Sequence, residues 1–96
     1  MLVLGRNTGQ SIYIGTSCTI TLREATRDEA RVLVRIDGKS RHYVMQQEDT
    51  ISLADGAITV QLTDLKRGSV KFGIRAPKLE IWREELHGDI HERKLD

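Results

Sequence analysis

The strongest constraint on this chain is a two-residue alternation of apolar and polar side chains, carried in short runs and cut by turn residues. Residues 11–14, 18–22, 31–36, 57–62 and 69–74 all show it. Successive side chains of a β-strand point to opposite faces, so the pattern predicts strands with one buried face each. β-branched residues are frequent in these runs, which suits a pleated, half-buried surface. Asp37-Gly38 and Asp55-Gly56 are turn signals, because both residue types tolerate the left-handed backbone of tight turns. Lys66-Arg67-Gly68 supplies another turn. Residues 1–4, 42–45 and 50–53 add three short strands. The charged stretch 23–30 predicts a hairpin loop, since the alternation resumes on its far side at Arg31.

The C-terminal third begins differently. Pro77 has a fixed φ and no N–H, so it is expected to start a strand. Leu79 and Ile81 alternate with Glu80 and Trp82, and Arg83 closes the run. From Glu84 a short helix is expected: Leu86 and Ile90 are four apart and share one side of it. Gly88 weakens that helix, and residues 92–96 are expected to fray. Trp82 faces away from Ile81 and reads as a cap over the core beneath the helix. The fold class is therefore mostly β: a small antiparallel β-barrel or sandwich with a short C-terminal α-helix.

Ninety-six residues make one domain with a limited core. A second copy, or an internal pseudo-dimer, would enlarge that core. Net charge is +1, which excludes a uniformly basic protein. The charge is nonetheless uneven: Lys66, Arg67, Lys71, Arg75, Lys78 and Arg83 meet only Glu80 among acids over the same stretch. Such a local basic face suits nucleic acid. Cys18 is the single cysteine, so there is no intrachain disulfide and no cysteine zinc site. It lies in an alternating run with Ile20 and Leu22 and reads as a small buried hydrophobe. The N-terminus lacks the pattern of a signal peptide, and no apolar stretch approaches membrane-spanning length. The expectation is a soluble, cytoplasmic protein.

The chain also repeats itself at an offset of about 38 residues. Ile12-x-Ile14 followed by Thr19-Ile20-Thr21-Leu22 matches Ile51-x-Leu53 followed by Ala57-Ile58-Thr59-Val60. Val32-x-Val34-x-Ile36 matches Val70-x-Phe72-x-Ile74, and residues 42–48 line up with residues 79–85. Residues 1–15 then hold the first strands, 16–49 a degenerate internal repeat or insertion, and 50–90 a second repeat with the helix.

Two stretches carry a family resemblance. Met1-Leu2-Val3-Leu4-x-Arg6-x-x-Gly9-Gln10-x-Ile12-x-Ile14-Gly15 opens the chain. Val70-x-Phe72-Gly73-Ile74-x-Ala76-Pro77-Lys78 and Ile81-x-Arg83-Glu84-Glu85-Leu86 close it. Together, in this order, they resemble the carbon storage regulator (CsrA/RsmA) family of bacterial post-transcriptional regulators. The resemblance covers residues 1–15 and about 55–90. It implies five strands and a C-terminal helix per protomer, in an interlocked homodimer. It further implies an RNA site where the first strand of one protomer meets the last strand of the other. That site would read GGA-containing hairpin loops in mRNA leaders or small RNAs, repressing translation or altering message stability. The family carries no metal or other cofactor and is not enzymatic.

Carried over residue by residue, the resemblance assigns RNA contacts to Leu4, Gly5, Arg6 and Asn7 on the first strand. It assigns Ala76, Pro77, Lys78, Leu79, Ile81 and Arg83 on the last, with Arg83 the principal cation. Gly5 and Asn7 replace a Thr and a second Arg of the common family sequence, losing a hydroxyl and a charge. Between Pro77 and Arg83 the chain is one residue shorter than the family pattern, which can shift a strand register. Gln46 stands where Arg83 stands in the repeat alignment, so one site would be kept and the other lost. Here the two protomers would be halves of one chain, a monomeric pseudo-dimer, with a true homodimer as the alternative. The other functional class is a protein-binding or antagonist module with weak RNA affinity. His87 and His91 are four apart, as metal ligands can be, but no third ligand accompanies them and they read as solvated.

Overall fold

The computed structural model describes residues 1–83. These form nine strands: β1 (Leu2–Asn7), β2 (Ser11–Ile14), β3 (Cys18–Ala25), β4 (Ala30–Ile36), β5 (Lys39–Met45), β6 (Thr50–Leu53), β7 (Ile58–Lys66), β8 (Ser69–Arg75) and β9 (Ile81–Arg83). A 3₁₀ turn at Ala54–Gly56 separates β6 from β7. All strand pairs are antiparallel. They make a four-stranded sheet, β1-β8-β7-β6, and a five-stranded sheet, β5-β4-β3-β2-β9. One hydrophobic cluster draws on both sheets, with Ile12, Leu22, Val32, Val60, Leu62 and Phe72 wholly buried. The sheets are open rather than closed into a barrel. The helix expected from Glu84 falls outside the described residues. Among the described residues, no helix is long and apolar enough to cross a membrane.

Two expectations are corrected at the strand ends. The hairpin loop expected over 23–30 is shorter, residues 26–29: β3 continues to Ala25 and β4 begins at Ala30. A β-bulge makes this possible. Leu22 opposes Val32 but Glu24 opposes Arg31, so Arg23 is the extra residue. The bulge re-phases the alternation, so Arg23 and Glu24 both stay exposed and Ala25 returns to the core. What remains is a short turn, closed by the Thr26 N–H on the Glu29 carbonyl at 2.9 Å. Pro77 does not start a strand either. Residues 77–80 form a turn in which the Leu79 N–H donates to the Ala76 carbonyl, and β9 begins at Ile81. β5, by contrast, is longer than the 42–45 expected from sequence, running over Lys39–Met45. Asp37 and Gly38, with φ of 50° and 80°, make a two-residue loop that pairs Ile36 directly with Lys39.

The internal repeat has a different phase from the one read in the sequence. Ile20↔Val34, Leu22↔Val32 and Glu24↔Arg31 recur forty residues later as Val60↔Ile74, Leu62↔Phe72 and Asp64↔Lys71, bulge included. The strand before each three-stranded unit matches as well. Leu4↔Phe72 and Arg6↔Val70 between β1 and β8 correspond to Tyr43↔Val32 and Met45↔Ala30 between β5 and β4. The loops agree bond for bond. Gln10 N–H donates to the Asn7 carbonyl, and Asp49 N–H donates to that of Gln46. Gly9 and Glu48 each donate to the carbonyl of Leu22 or Leu62, both at 2.7 Å. The Asn7 N–H donates to the Gln10 side chain as the Gln46 N–H does to Asp49. β5 is therefore the counterpart of β1, and Gln46 the counterpart of Asn7, not of Arg83. β9 has no counterpart among the described residues.

This match also locates a strained residue. Gly9 has φ of 91°, and Glu48 holds the same left-handed conformation at 74°. A β-carbon makes that conformation unfavourable by about 1–2 kcal/mol. Its side chain recovers one exposed hydrogen bond, from the Gln61 amide at 3.1 Å. Glu48→Gly should therefore stabilise the fold by up to about 1 kcal/mol, less the entropy glycine adds to the unfolded chain. A urea melt with an unchanged or lower midpoint would contradict this.

Candidate nucleic-acid interface

The residues singled out from the sequence lie at the two termini of the described chain, and each terminus joins a different sheet. β1 adds to β8, the last strand of the second repeat. β9 adds to β2, the first strand of the first repeat's three-stranded unit, through Ile12↔Arg83, Tyr13↔Trp82 and Ile14↔Ile81. β1 and β9 do not pair with each other, as a site between the first and last strands would require; each is the edge strand of a different sheet. The Arg6 Nη1 donates to the Ser11 carbonyl at 3.2 Å, and Ser11 is the neighbour of Ile12, the partner of Arg83.

Alternation decides which of these side chains are accessible. On β1, Leu4 and Arg6 turn inward and are buried at 5% exposure each, while Gly5 and Asn7 turn outward. Arg6 is a structural cation: its Nε donates to the Gly5 carbonyl and its Nη1 to that of Ser11. The sequence placed Arg6 among the contacts without separating it from an exposed arginine. The signal was present, because Arg6 is two residues from the apolar Leu4 and so shares its face. Gly5, Arg6 and Asn7 border a shallow depression of about 170 Å³ that also includes Lys66, Lys71 and Asp64. The Lys66 ammonium stands 4.0 Å from the Asp64 carboxylate, and both are substantially exposed.

At the other terminus, Ala76 is buried, and Pro77 and Lys78 are exposed in the turn before β9. Leu79 is 40% exposed and packs over Gly15: a Cβ on that glycine would stand 3.1 Å from the leucine Cδ2. Leu79 therefore belongs to the turn and not to the strand. The Gly15 N–H anchors the turn by donating to the Glu80 carbonyl at 2.7 Å. Ile81 is half-buried against the core, and Arg83, two residues on, shares its face and is exposed. Trp82 points the other way, opposite Tyr13 on the outer face of the five-stranded sheet, and both rings are half-buried. This cross-strand aromatic pair is visible only once β2 and β9 are known to be neighbours.

Chemically, the surface offers exposed cations at Lys78, Arg83, Lys66 and Lys71, main-chain groups at two strand margins, and apolar floor at Ile81 and Leu79. Cys18 is buried, and burial with the nearby Asp37 carboxylate pushes its thiol up to about 11. It stays protonated at neutral pH and supplies no nucleophile. His87 and His91 lie outside the described residues. No family model, curated protein or solved structure matches the chain.

The inward setting of Arg6 makes a specific expectation. Its structural counterpart is Met45, which is 1% exposed. Arg6→Met should fold with a smaller loss than Arg6→Ala. The alanine variant should lose about 2–3 kcal/mol, because it removes the hydrogen bonds of a charged group to the Gly5 and Ser11 carbonyls and leaves a void. Urea melts of the two variants check the order, and equal losses would count against it.

Proposed function

We propose that this protein is an RNA-binding post-transcriptional regulator of carbon storage regulator type, with one site per chain. It would act in the cytoplasm on GGA-containing hairpin loops in mRNA leaders or small RNAs. Binding would repress translation or change message stability. The observation that supports this best is the reciprocal addition of the chain ends. The resemblance calls for a first strand and a last strand supplied by different protomers. Here β1 joins the sheet of the second repeat and β9 that of the first, without pairing with each other, and in this reading the two repeats of one chain stand in for two protomers. The Arg6 side chain bonds the Ser11 carbonyl, and the Arg83 main chain pairs with the next residue of β2, Ile12.

Within this reading the labour is divided. Arg83 is the exposed cation, suited to a phosphate or to the O6 and N7 of a guanine in bidentate fashion. Lys78, Lys66 and Lys71 add salt-sensitive attraction for the backbone. Unstacked loop bases present their edges to main-chain groups at a strand margin, here those of Gly5, Asn7 and Ala76 through Leu79. Arg6 and the buried Leu4 position β1 from beneath, and Leu79 and Ile81 are the apolar floor. The second reading, a protein-binding or antagonist module with weak RNA affinity, is favoured by the neutral Gly5 and Asn7 on the open face of β1.

Arg83→Ala should weaken binding to a GGA hairpin by about 1–3 kcal/mol, if a bidentate guanine contact is lost. It should affect a scrambled hairpin less. A gel shift in which the variant binds both hairpins as the parent does would remove Arg83 from the site, and parent binding without preference for GGA would favour the second reading. Light scattering should return a mass near 10.9 kDa, with one RNA bound per chain. A mass near twice that value would replace the pseudo-dimer by a true homodimer.

A further inference from the structure

β9 breaks the internal two-fold correspondence of this molecule. It covers the free edge of β2, whereas the corresponding edge, that of β6, has no neighbouring strand among the described residues. The two edges are built alike. Ile12↔Ile20 and Ile14↔Cys18 on β2 match Ile51↔Val60 and Leu53↔Ile58 on β6. On the covered edge the Gly15 N–H donates to the Glu80 carbonyl. Main-chain groups alternate in direction along a strand, so Tyr13 also faces β9. The matching residues of β6 are Ser52 and Ala54, whose N–H groups then face away from β7, while the Ala54 carbonyl accepts the Ala57 N–H. Beside this edge lies a groove of about 620 Å³. Its lining is mixed: Val34, Ile36, Tyr43 and Leu53 are apolar, and Asp37, Lys39, Arg41 and Asp55 are charged.

We infer that the β6 edge accepts one extended segment of a partner protein, added antiparallel as β9 is added to β2. An open edge presents unpaired N–H and C=O groups, and main-chain pairing with alternate side-chain pockets is the known physics of strand addition. β9 itself shows what fits: an apolar residue in the place of Ile81, opposite Leu53, followed by an outward-facing residue opposite Ser52. One difference sets the preference. Gly15 has no Cβ, and one placed there would lie 3.1 Å from Leu79. Ala54 carries that Cβ in a similar conformation, with φ of 52° against 62° for Gly15. The segment therefore has a small residue where β9 is preceded by Leu79. A second copy of this chain is a poor occupant. Moving its β9 across would uncover an equal edge on its own β2. The groove is lined by two cations, Lys39 and Arg41, against two carboxylates, Asp37 and Asp55, so it carries no net positive charge to draw RNA.

The probe is a fluorescent peptide with the sequence of residues 77–83, carrying alanine in the place of Leu79, titrated into the full chain. Saturable binding is expected, tighter than for the peptide that keeps leucine. Hydrogen exchange should slow at the Ser52 and Ala54 amides of the parent protein. Ser52→Pro should reduce affinity at least about tenfold. Proline removes the outward donor there, while the N–H groups paired with β7 belong to the alternate residues. Peptide binding that survives Ser52→Pro, protection at β2 in place of β6, or absence of binding would overturn the inference. So would slowed exchange at Ser52 and Ala54 on adding hairpin RNA alone. Should Ser52→Pro fail to fold, the exchange measurement on the parent protein decides the matter. The result is independent of the RNA reading, since Arg83→Ala leaves this edge untouched.

Discussion

Each three-stranded unit of this protein is completed by a strand that belongs to the other repeat. β1 opens the first repeat yet pairs with β8 of the second, and β5 opens the second yet pairs with β4 of the first. A lone three-stranded meander of this length has one apolar face and two bare edges, and a single such sheet has nothing to bury that face against. Exchange of first strands caps one edge of each unit. It also forces the chain to cross between the sheets at residues 8–10 and 46–49. The shared core follows from those crossings.

The same exchange explains why the loops are so alike. Both crossings carry a left-handed residue, Gly9 or Glu48, whose N–H bonds the carbonyl of the central strand at Leu22 or Leu62. Those bonds, and the return bonds from the Leu22 and Leu62 amides to Gln10 and Asp49, lock the crossing to the bulged centre of each unit. Along the paired strands and crossings, the repeats have diverged in chemistry more than in geometry. Arg6 occupies the site of Met45, and glycine at position 9 is replaced by a strained glutamate at 48. Two structural asymmetries stand out among the described residues: the 3₁₀ turn at Ala54–Gly56, in a connection one residue longer than that between β2 and β3, and β9, which covers the edge of β2 while that of β6 stays open.

Much of the fold was legible before the structure. The strands at 11–14, 18–22, 31–36, 58–62 and 69–74 announce themselves by alternation, and Asp37-Gly38 by its turn chemistry. Alternation failed at Arg23-Glu24 because a bulge shifts the period by one residue, which a strict two-residue rule reads as an interruption. It failed at Pro77 because Leu79 obeys the period while lying in a turn, held there by Gly15. Of the candidate site, the exposure of Arg83 and Lys78 agrees with their charge. The burial of Arg6 does not follow from residue type, and required knowing that Leu4 beside it is core.

By itself the amino-acid order determined where strands form and which face of each is apolar, because that information lies in neighbouring residues. It also determined that the chain contains two similar units. Only the tertiary structure decided the phase of that repeat and which strand completes which sheet. Pairing partners are set by edges and registers formed across forty residues or more, as in Arg6↔Val70 and Ile12↔Arg83. Residues 42–45 resemble residues 79–82 as readily as residues 3–6 when judged by side chain alone. The main-chain hydrogen bonds that distinguish the two assignments have no signature in residue type.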